Sequence, residues 1–166
     1  MQERKLYLVC GLPGAGKTTR CRQIFDAVGG VYLSADEWVL GLGMSLLDFE
    51  FRVRLQECLL RQAGELLRCG VNVILEFGSW TRGEREGIRQ VGVRAGATQE
   101  LHFVNAPIDE LVRRVRARGG PGAEELASKV LLQESGRFEH PSPDEVLLFQ
   151  RYFGPDDEWC LEIRER

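Results

Sequence analysis

The stretch "KLYLVCGLPGAGKTTR", Lys5 to Arg20, decides how the rest of the chain is read. Lys5 to Cys10 is a short β-rich run that stops at Gly11, and a helical pattern follows Lys17 through about Val28. Between strand and helix, Gly11, Gly16, Lys17 and Thr18 satisfy GxxxxGK[ST], the pattern of a loop that wraps phosphate. Glycines at 11, 14 and 16 free the backbone so that successive N–H groups can curl round phosphate oxygens at a helix N-terminus. Lys17 is expected on the β- and γ-phosphates, the Thr18 hydroxyl on Mg²⁺, and Thr19 on the α-phosphate. The whole run Gly11, Leu12, Pro13, Gly14, Ala15, Gly16, Lys17, Thr18 and Thr19 is therefore the expected nucleotide cradle.

Outward from this loop the chain alternates strands and helices. "GVYLSAD" gives a second strand closing near Ser34, and apolar residues at helical spacing predict a long amphipathic helix from Asp48 to Cys69. Val71 to Phe77, "VNVILEF", is almost unbroken apolar and β-branched, as a strand buried on both faces should be, and is expected centrally in the sheet. A more polar helix "RGEREGIRQVGVRAG", a strand "TQELHFVN" and a helix "APIDELVRRVRAR" follow, with Pro107 suited to a first helical turn. After the break "GGPG" come a helix near Ala123 to Gly136, a loop through "FEHPSP", a short helix from Asp144 and a last strand near "EWCLEI". Such alternation predicts an α/β fold of three layers, α/β/α, round a mostly parallel five-stranded sheet. Ligands of such sheets bind at the carboxyl ends of strands, where Gly11, Asp36, Glu76 and Asn105 should converge.

Length and composition fit one domain: 166 residues, 43% hydrophobic and 28% charged. A formal net charge of -3 gives no general attraction for nucleic acid or anionic membrane. The five scattered cysteines have no partners at zinc spacing and read as reduced, mostly buried thiols of a cytoplasmic protein. No signal-peptide pattern opens the chain, and no apolar run is long enough to span a membrane.

The same phosphate loop serves GTPases, ATPase motors and small kinases, so other residues must discriminate. "VNAPID" and "EFGSW" supply neither the guanine reader nor the switch of a GTPase, and "VILEF" offers only the lone Glu76 where a motor needs paired acids. A kinase survives this elimination. "GLPGAGKTT", "LSADEW", "VILEFGSWTRGER", "NAPIDELVRRVRAR" and "FEHPSPDE" occur in one order across nearly the whole chain. In that order the sequence resembles the P-loop kinase-like proteins of the zeta toxin, chloramphenicol phosphotransferase and polynucleotide kinase group, and more closely the small bacterial AAA-domain kinases. The resemblance implies a nucleoside-kinase-like core with a short lid, here about residues 114–125, which passes the γ-phosphoryl of ATP or GTP to an acceptor hydroxyl with Mg²⁺.

Asp36 matches the family's base, and it is also assigned to the metal with Thr18. Independently, a carboxylate at the end of a neighbouring strand can accept an acceptor's proton. The competing reading is that Asp36 caps the helix beginning at "DEW", a job that Ser34 or Glu37 would do equally well. Arg114 and Arg118, four residues apart on one helical face, are expected over the phosphates, or else on a solvated face with Arg113 and Arg116. Where relatives carry Asn after the second arginine, this chain has Gly119 and Gly120. Glu76 stands where relatives carry Asp and is either a holder of metal-bound water or an ordinary strand-end carboxylate. Trp38, Phe49, Phe51, Phe77 and Trp80 with Glu37, Asp48, Glu50 and Glu76 suit a ring-bearing, hydroxylated, cationic acceptor, whereas Arg82 and Arg85 suit an anionic one. His102 and His140 are read as structural or exposed. The alternatives to a small-molecule phosphotransferase are a nucleotide-binding regulatory module and a polynucleotide 5′-hydroxyl kinase.

Overall fold

A computed structural model describes residues 4–157. Five strands, β1 (Lys5–Cys10), β2 (Val31–Ser34), β3 (Val73–Glu76), β4 (Thr98–Phe103) and β5 (Arg151–Phe153), form one sheet in the order β2-β3-β1-β4-β5. Every pairing is parallel, with Leu8 opposite Leu75 on one side and Leu101 on the other. The centre of the sheet is β1, not β3 as its apolar run suggests; β3 lies one place out, still between two strands and buried along its length. The fifth strand lies at Arg151–Phe153, a run whose mixed character gave no β pattern, and the predicted strand near "EWCLEI" falls outside the described residues.

The helices are α1 (Lys17–Val28), α2 (Ala35–Gly41), α3 (Phe49–Arg68), α4 (Arg82–Ala95) and α5 (Ile108–Arg118). Next, α6 begins as an α-helix (Ala123–Glu125), continues as a π-helix (Leu126–Glu134) and closes in a 3₁₀ turn (Ser135–Arg137); α7 is Pro143–Val146. Local chemistry sets the helix starts. Asp48 caps α3 by accepting from the Phe51 N–H at 3.0 Å, and Thr81 and Glu84 form a reciprocal capping box at α4. Helices cover both faces of the sheet, giving the expected three-layer α/β/α P-loop fold around a core of Leu6, Leu8, Ile24, Ile74, Leu75, Leu101 and Leu111.

From β1 the chain goes to β2 on one side, and from β3 it crosses to β4 on the other. The loop after β1 therefore sits at the crevice where strand order reverses, the place such sheets offer to a ligand.

Candidate active site

The phosphate loop is held open by its backbone. Gly11 sits at φ 150, and a Cβ there would lie 2.2 Å from the Val104 carbonyl oxygen. Gly16 sits at φ 104 as the N-cap of α1 with open space around it, so its lack of a side chain serves the backbone turn rather than packing. The Lys17 Nζ donates to the Leu12 carbonyl at 3.1 Å, folding the ammonium back over the loop. Burial pushes the Lys17 pKa below the usual ammonium value, and the nearby carboxylates of Asp36 and Glu76 act against it.

The Thr18 hydroxyl donates to Glu76 Oε1 at 2.8 Å, and the Tyr32 hydroxyl donates to Glu76 Oε2. The carboxylate beside Thr18 is thus Glu76, at the carboxyl end of β3. Asp36 is instead ion-paired with Arg52, Nη2 to Oδ1 at 2.6 Å. Ser34, not Asp36, caps α2, its hydroxyl accepting from the Glu37 N–H at 3.3 Å. Sequence reasoning missed Arg52. Arg52 stands in the first turn of α3, four residues after the capping Asp48, and nothing in its local sequence marks the pairing.

One cavity of about 1040 Å³ gathers these groups: Gly11, Pro13, Gly14, Gly16, Lys17, Thr18 and Thr19 of the loop, with Asp36, Arg52, Glu76, Arg114 and Arg118, line it, whereas Leu12 of the expected cradle is buried in the core and Ala15 borders a second cavity. Arg114 donates to Glu110 and to the Gly14 carbonyl at 3.3 Å, whereas exposed Arg118 makes no hydrogen bond or ion pair among the described residues. Arg113 pairs with Glu110 and Arg116 with Glu124 on the surface, the solvated-face half of the expectation. After α5, Gly119, Gly120, Pro121 and Ala123 run along the same cavity. The second cavity, of about 320 Å³, shares Gly16, Thr19 and Arg114 with the first and extends past Gln23, Asn105 and Pro155.

Several residues expected at the acceptor belong elsewhere. Phe77 is core, 1% exposed; Asp48 is a cap; Trp38 points out of the cavity's lining. Arg85 is wholly buried and takes Glu145 in two parallel hydrogen bonds at 2.6 and 2.9 Å, so it is not a ligand-binding cation. Arg82 binds Asp144 at 2.6 Å. These contacts give "FEHPSPDE" a physical role. The Glu139 N–H donates to the Trp80 carbonyl, the Arg82 N–H donates to Glu139, and Arg85 donates to the Ser79 carbonyl at 3.1 Å. The segment straps down the loop between β3 and α4.

That loop carries the one described non-glycine residue at positive φ, Ser79 at 49°. Gly78 lies before it, where a Cβ would come within 3.3 Å of the Trp80 ring and 3.8 Å of Arg52 Nη2. Gly78, Ser79, Trp80 and Glu84 line the large cavity.

The histidines are structural in different ways. His102 is buried and stacks on Phe153 at 4.8 Å, and burial lowers its pKa; His140 is exposed and packs edge-on against Phe103. Of the cysteines, Cys10 and Cys21 are buried, but Cys58 and Cys69 are exposed because they fall on the outer face and C-terminal end of α3. Among the described residues no group of three or more His, Cys, Asp or Glu could hold a metal by itself, and no helix is long and apolar enough to cross a membrane.

A sequence model of the AAA domain matches residues 6–141. No protein of curated function matches the sequence. Among solved structures the chain is similar to a sugar kinase from Janibacter sp. HTCC2649, with 19% identity, 94% of this chain and 87% of that one covered, and a TM-score of 0.63. It is similar to the APS kinase CysC of Mycobacterium tuberculosis in complex with AMPPNP and APS, with 22% identity, coverage of 94% and 91%, and a TM-score of 0.64. It is also similar to Chaetomium thermophilum Kti12 in complex with ADP-AlF3, with 20% identity, coverage of 90% and 87%, and a TM-score of 0.67. At these identities the likeness is one of fold.

Proposed function

The chain belongs to the AAA-domain family matched over residues 6–141, and from that premise we propose that it is an ATP- or GTP-dependent phosphotransferase that moves a γ-phosphoryl group to the hydroxyl of a small-molecule acceptor. The observation that carries this reading is the placement of Asp36. It lines the same cavity as the phosphate loop, it is relieved of capping by Ser34, and Arg52 fixes it at 2.6 Å. A carboxylate so placed orients an acceptor hydroxyl and takes its proton.

The loop N–H groups and Lys17 hold the phosphates. The second cavity, continuous with the loop past Gln23, Asn105 and Pro155, is the room for the base and ribose. Thr18 and Glu76, two hard oxygen donors 2.8 Å apart, fit Mg²⁺ and would hold it. Held by these residues, Mg²⁺ would supply positive charge against the phosphates. Such an ion keeps phosphate and water ligands and needs no all-protein cage. Asp36, paired with Arg52, serves the acceptor rather than the metal. Arg118 is free to meet the charge on the transferring phosphoryl, and the segment Arg114 to Glu125 acts as the lid. In the transfer, Asp36 receives the acceptor's proton while the acceptor's oxygen forms the new P–O bond; the bond from the γ-phosphorus to the bridging oxygen breaks, releasing the nucleoside diphosphate.

The test is nucleoside triphosphate consumption by the full chain against nucleosides, sugars and hydroxylated antibiotics. Acceptor-dependent release of ADP or GDP is expected. Tight nucleotide binding with no acceptor dependence across the panel, together with a protein partner captured only in the nucleotide-bound state, would make the chain a regulatory module instead.

A further inference from the structure

The phosphate loop divides the ligand space in two. Gly16, Thr19 and Arg114 line both cavities, the smaller of which leads away past Gln23 and Asn105. The larger, at about 1040 Å³, is at the upper limit of the ~300–1,000 Å³ that one drug-sized ligand fills. It therefore holds more than a triphosphate, and its far half is a second subsite.

Part of the cavity wall is hydrocarbon. Leu40, Leu46, Phe49, Val53, Trp80 and Val130 line it, and Leu40, Phe49 and Val53 are 51%, 58% and 55% exposed. Large apolar side chains gathered at one cleft, from three helices and two loops, mark a surface that a ligand covers. Polar side chains also line the cavity, Glu37, Gln56, Thr81 and Glu84 among them, and three of its polar groups are fixed in place. Asp36 and Arg52 are locked together, with Arg52 lying against the Gly78 backbone. Ser79 is 6% exposed, and its hydroxyl has no hydrogen-bond partner among the described residues. Its strained backbone is not accidental slack, because the buried Arg85–Glu145 pair holds the Ser79 carbonyl. A buried hydroxyl left unmatched on a clamped loop is a prepared contact for a ligand.

We propose that this half of the cleft takes a largely apolar alcohol, an acceptor with a hydrocarbon ring or chain against Leu40, Phe49, Val53 and Trp80, its reacting hydroxyl at Asp36 and a second polar group at Ser79 Oγ. A polyol or sugar laid against Leu40, Phe49, Val53 and Trp80 would turn the hydroxyls of that face to hydrocarbon, each losing its hydrogen bonds to water. The proposal rests on the phosphotransfer reading only for the direction of the reacting hydroxyl; the chemistry of transfer is as given above.

Saturation-transfer NMR on the full chain with MgADP separates the possibilities, using 2-phenylethanol, 1-phenyl-1,2-ethanediol and myo-inositol as probes at millimolar concentration. Both phenyl alcohols should bind, and myo-inositol about tenfold more weakly or not at all. Val53→Glu and Leu40→Glu, both at exposed positions where folding is not at stake, should each weaken the phenyl alcohols about tenfold. Leu147→Glu, at a position 83% exposed and outside the cavity, should leave them unchanged. Ser79→Ala should weaken the diol and spare 2-phenylethanol, a difference that general loosening of the loop would not produce. The proposal is overturned if myo-inositol binds as well as the phenyl compounds, if neither phenyl compound binds, or if their binding ignores both glutamate variants. Radiolabelled ATP in parallel keeps the two readings apart. Bound alcohol that is never phosphorylated removes the transfer reading and leaves the subsite; phosphorylated inositol without alcohol binding does the reverse.

Discussion

At the scale of single residues, two glycines of one motif are required for different reasons, and substitution separates them. Gly11→Ala forces a Cβ to 2.2 Å from a backbone oxygen, so the chain should lose several kcal/mol of stability and fold poorly. Gly16→Ala meets no neighbouring atom and should cost about 1–3 kcal/mol from its backbone alone. Its larger loss should be in nucleotide affinity, measured by calorimetry, because the added methyl would stand in the space proposed for phosphate. The cysteines give a second check: burial pushes the Cys10 thiol up to about 12, and Cys21 is also raised. Iodoacetamide on the native chain should label Cys58 and Cys69 and spare Cys10 and Cys21, as mass spectrometry of the labelled peptides would show. The motif itself was legible because its glycines, lysine and threonine stand in a fixed local spacing. Arg52 was not, because a cation on a helix beside other charges carries no local mark of the carboxylate it meets across the fold.

Among the elements, the strap from Phe138 to Val146 is the one whose purpose only the structure reveals. Its residues lie about sixty positions from the loop they hold, and nothing in "FEHPSPDE" names its partner. Arg85 and Glu145 are 0% and 3% exposed, so Glu145→Ala leaves a buried guanidinium unpaired. The expected loss is about 3–5 kcal/mol, or a fall in Tm on the order of 10 °C by calorimetry. The double change Arg85→Met with Glu145→Leu should restore most of that stability, since apolar packing can replace a buried pair. It should not restore acceptor affinity, because the Ser79 carbonyl has lost its donor. Acid reports on the same strap. The Ser142 hydroxyl and then the Arg82 guanidinium hold Asp144 at about 2, below its unfolded value. Its contribution is complete above about pH 4 and disappears as pH falls through about 2. Wild type and Asp144→Asn should therefore differ in urea midpoint at neutral pH and converge near pH 2.

For the whole molecule, the parallel sheet was legible from alternation alone, since each strand run is followed by a helix long enough to cross over. Strand order was not. The apolar run of β3 reports burial on both faces, which any interior strand satisfies, while β1 holds the centre by pairing on both sides. The convergence of Gly11, Asp36 and Glu76 on one cavity was predictable from strand ends, whereas Asn105, expected with them, lines the second cavity. Which carboxylate meets Thr18 depends on side chains from two strands and a helix, and the structure gives Glu76. A molecule built to hold a triphosphate across this edge should be stabilised by it: MgATP at a hundredfold its Kd should add about 2.7 kcal/mol, and Lys17→Ala should abolish the shift.

The measurement that bears most directly on the account pairs that shift with turnover in one variant, Asp36→Asn, using whichever acceptor drives ADP release in the wild type. Retained thermal stabilisation by MgATP with a fall in transfer of about 10²–10⁴-fold is the predicted result. Transfer at the wild-type rate would contradict it.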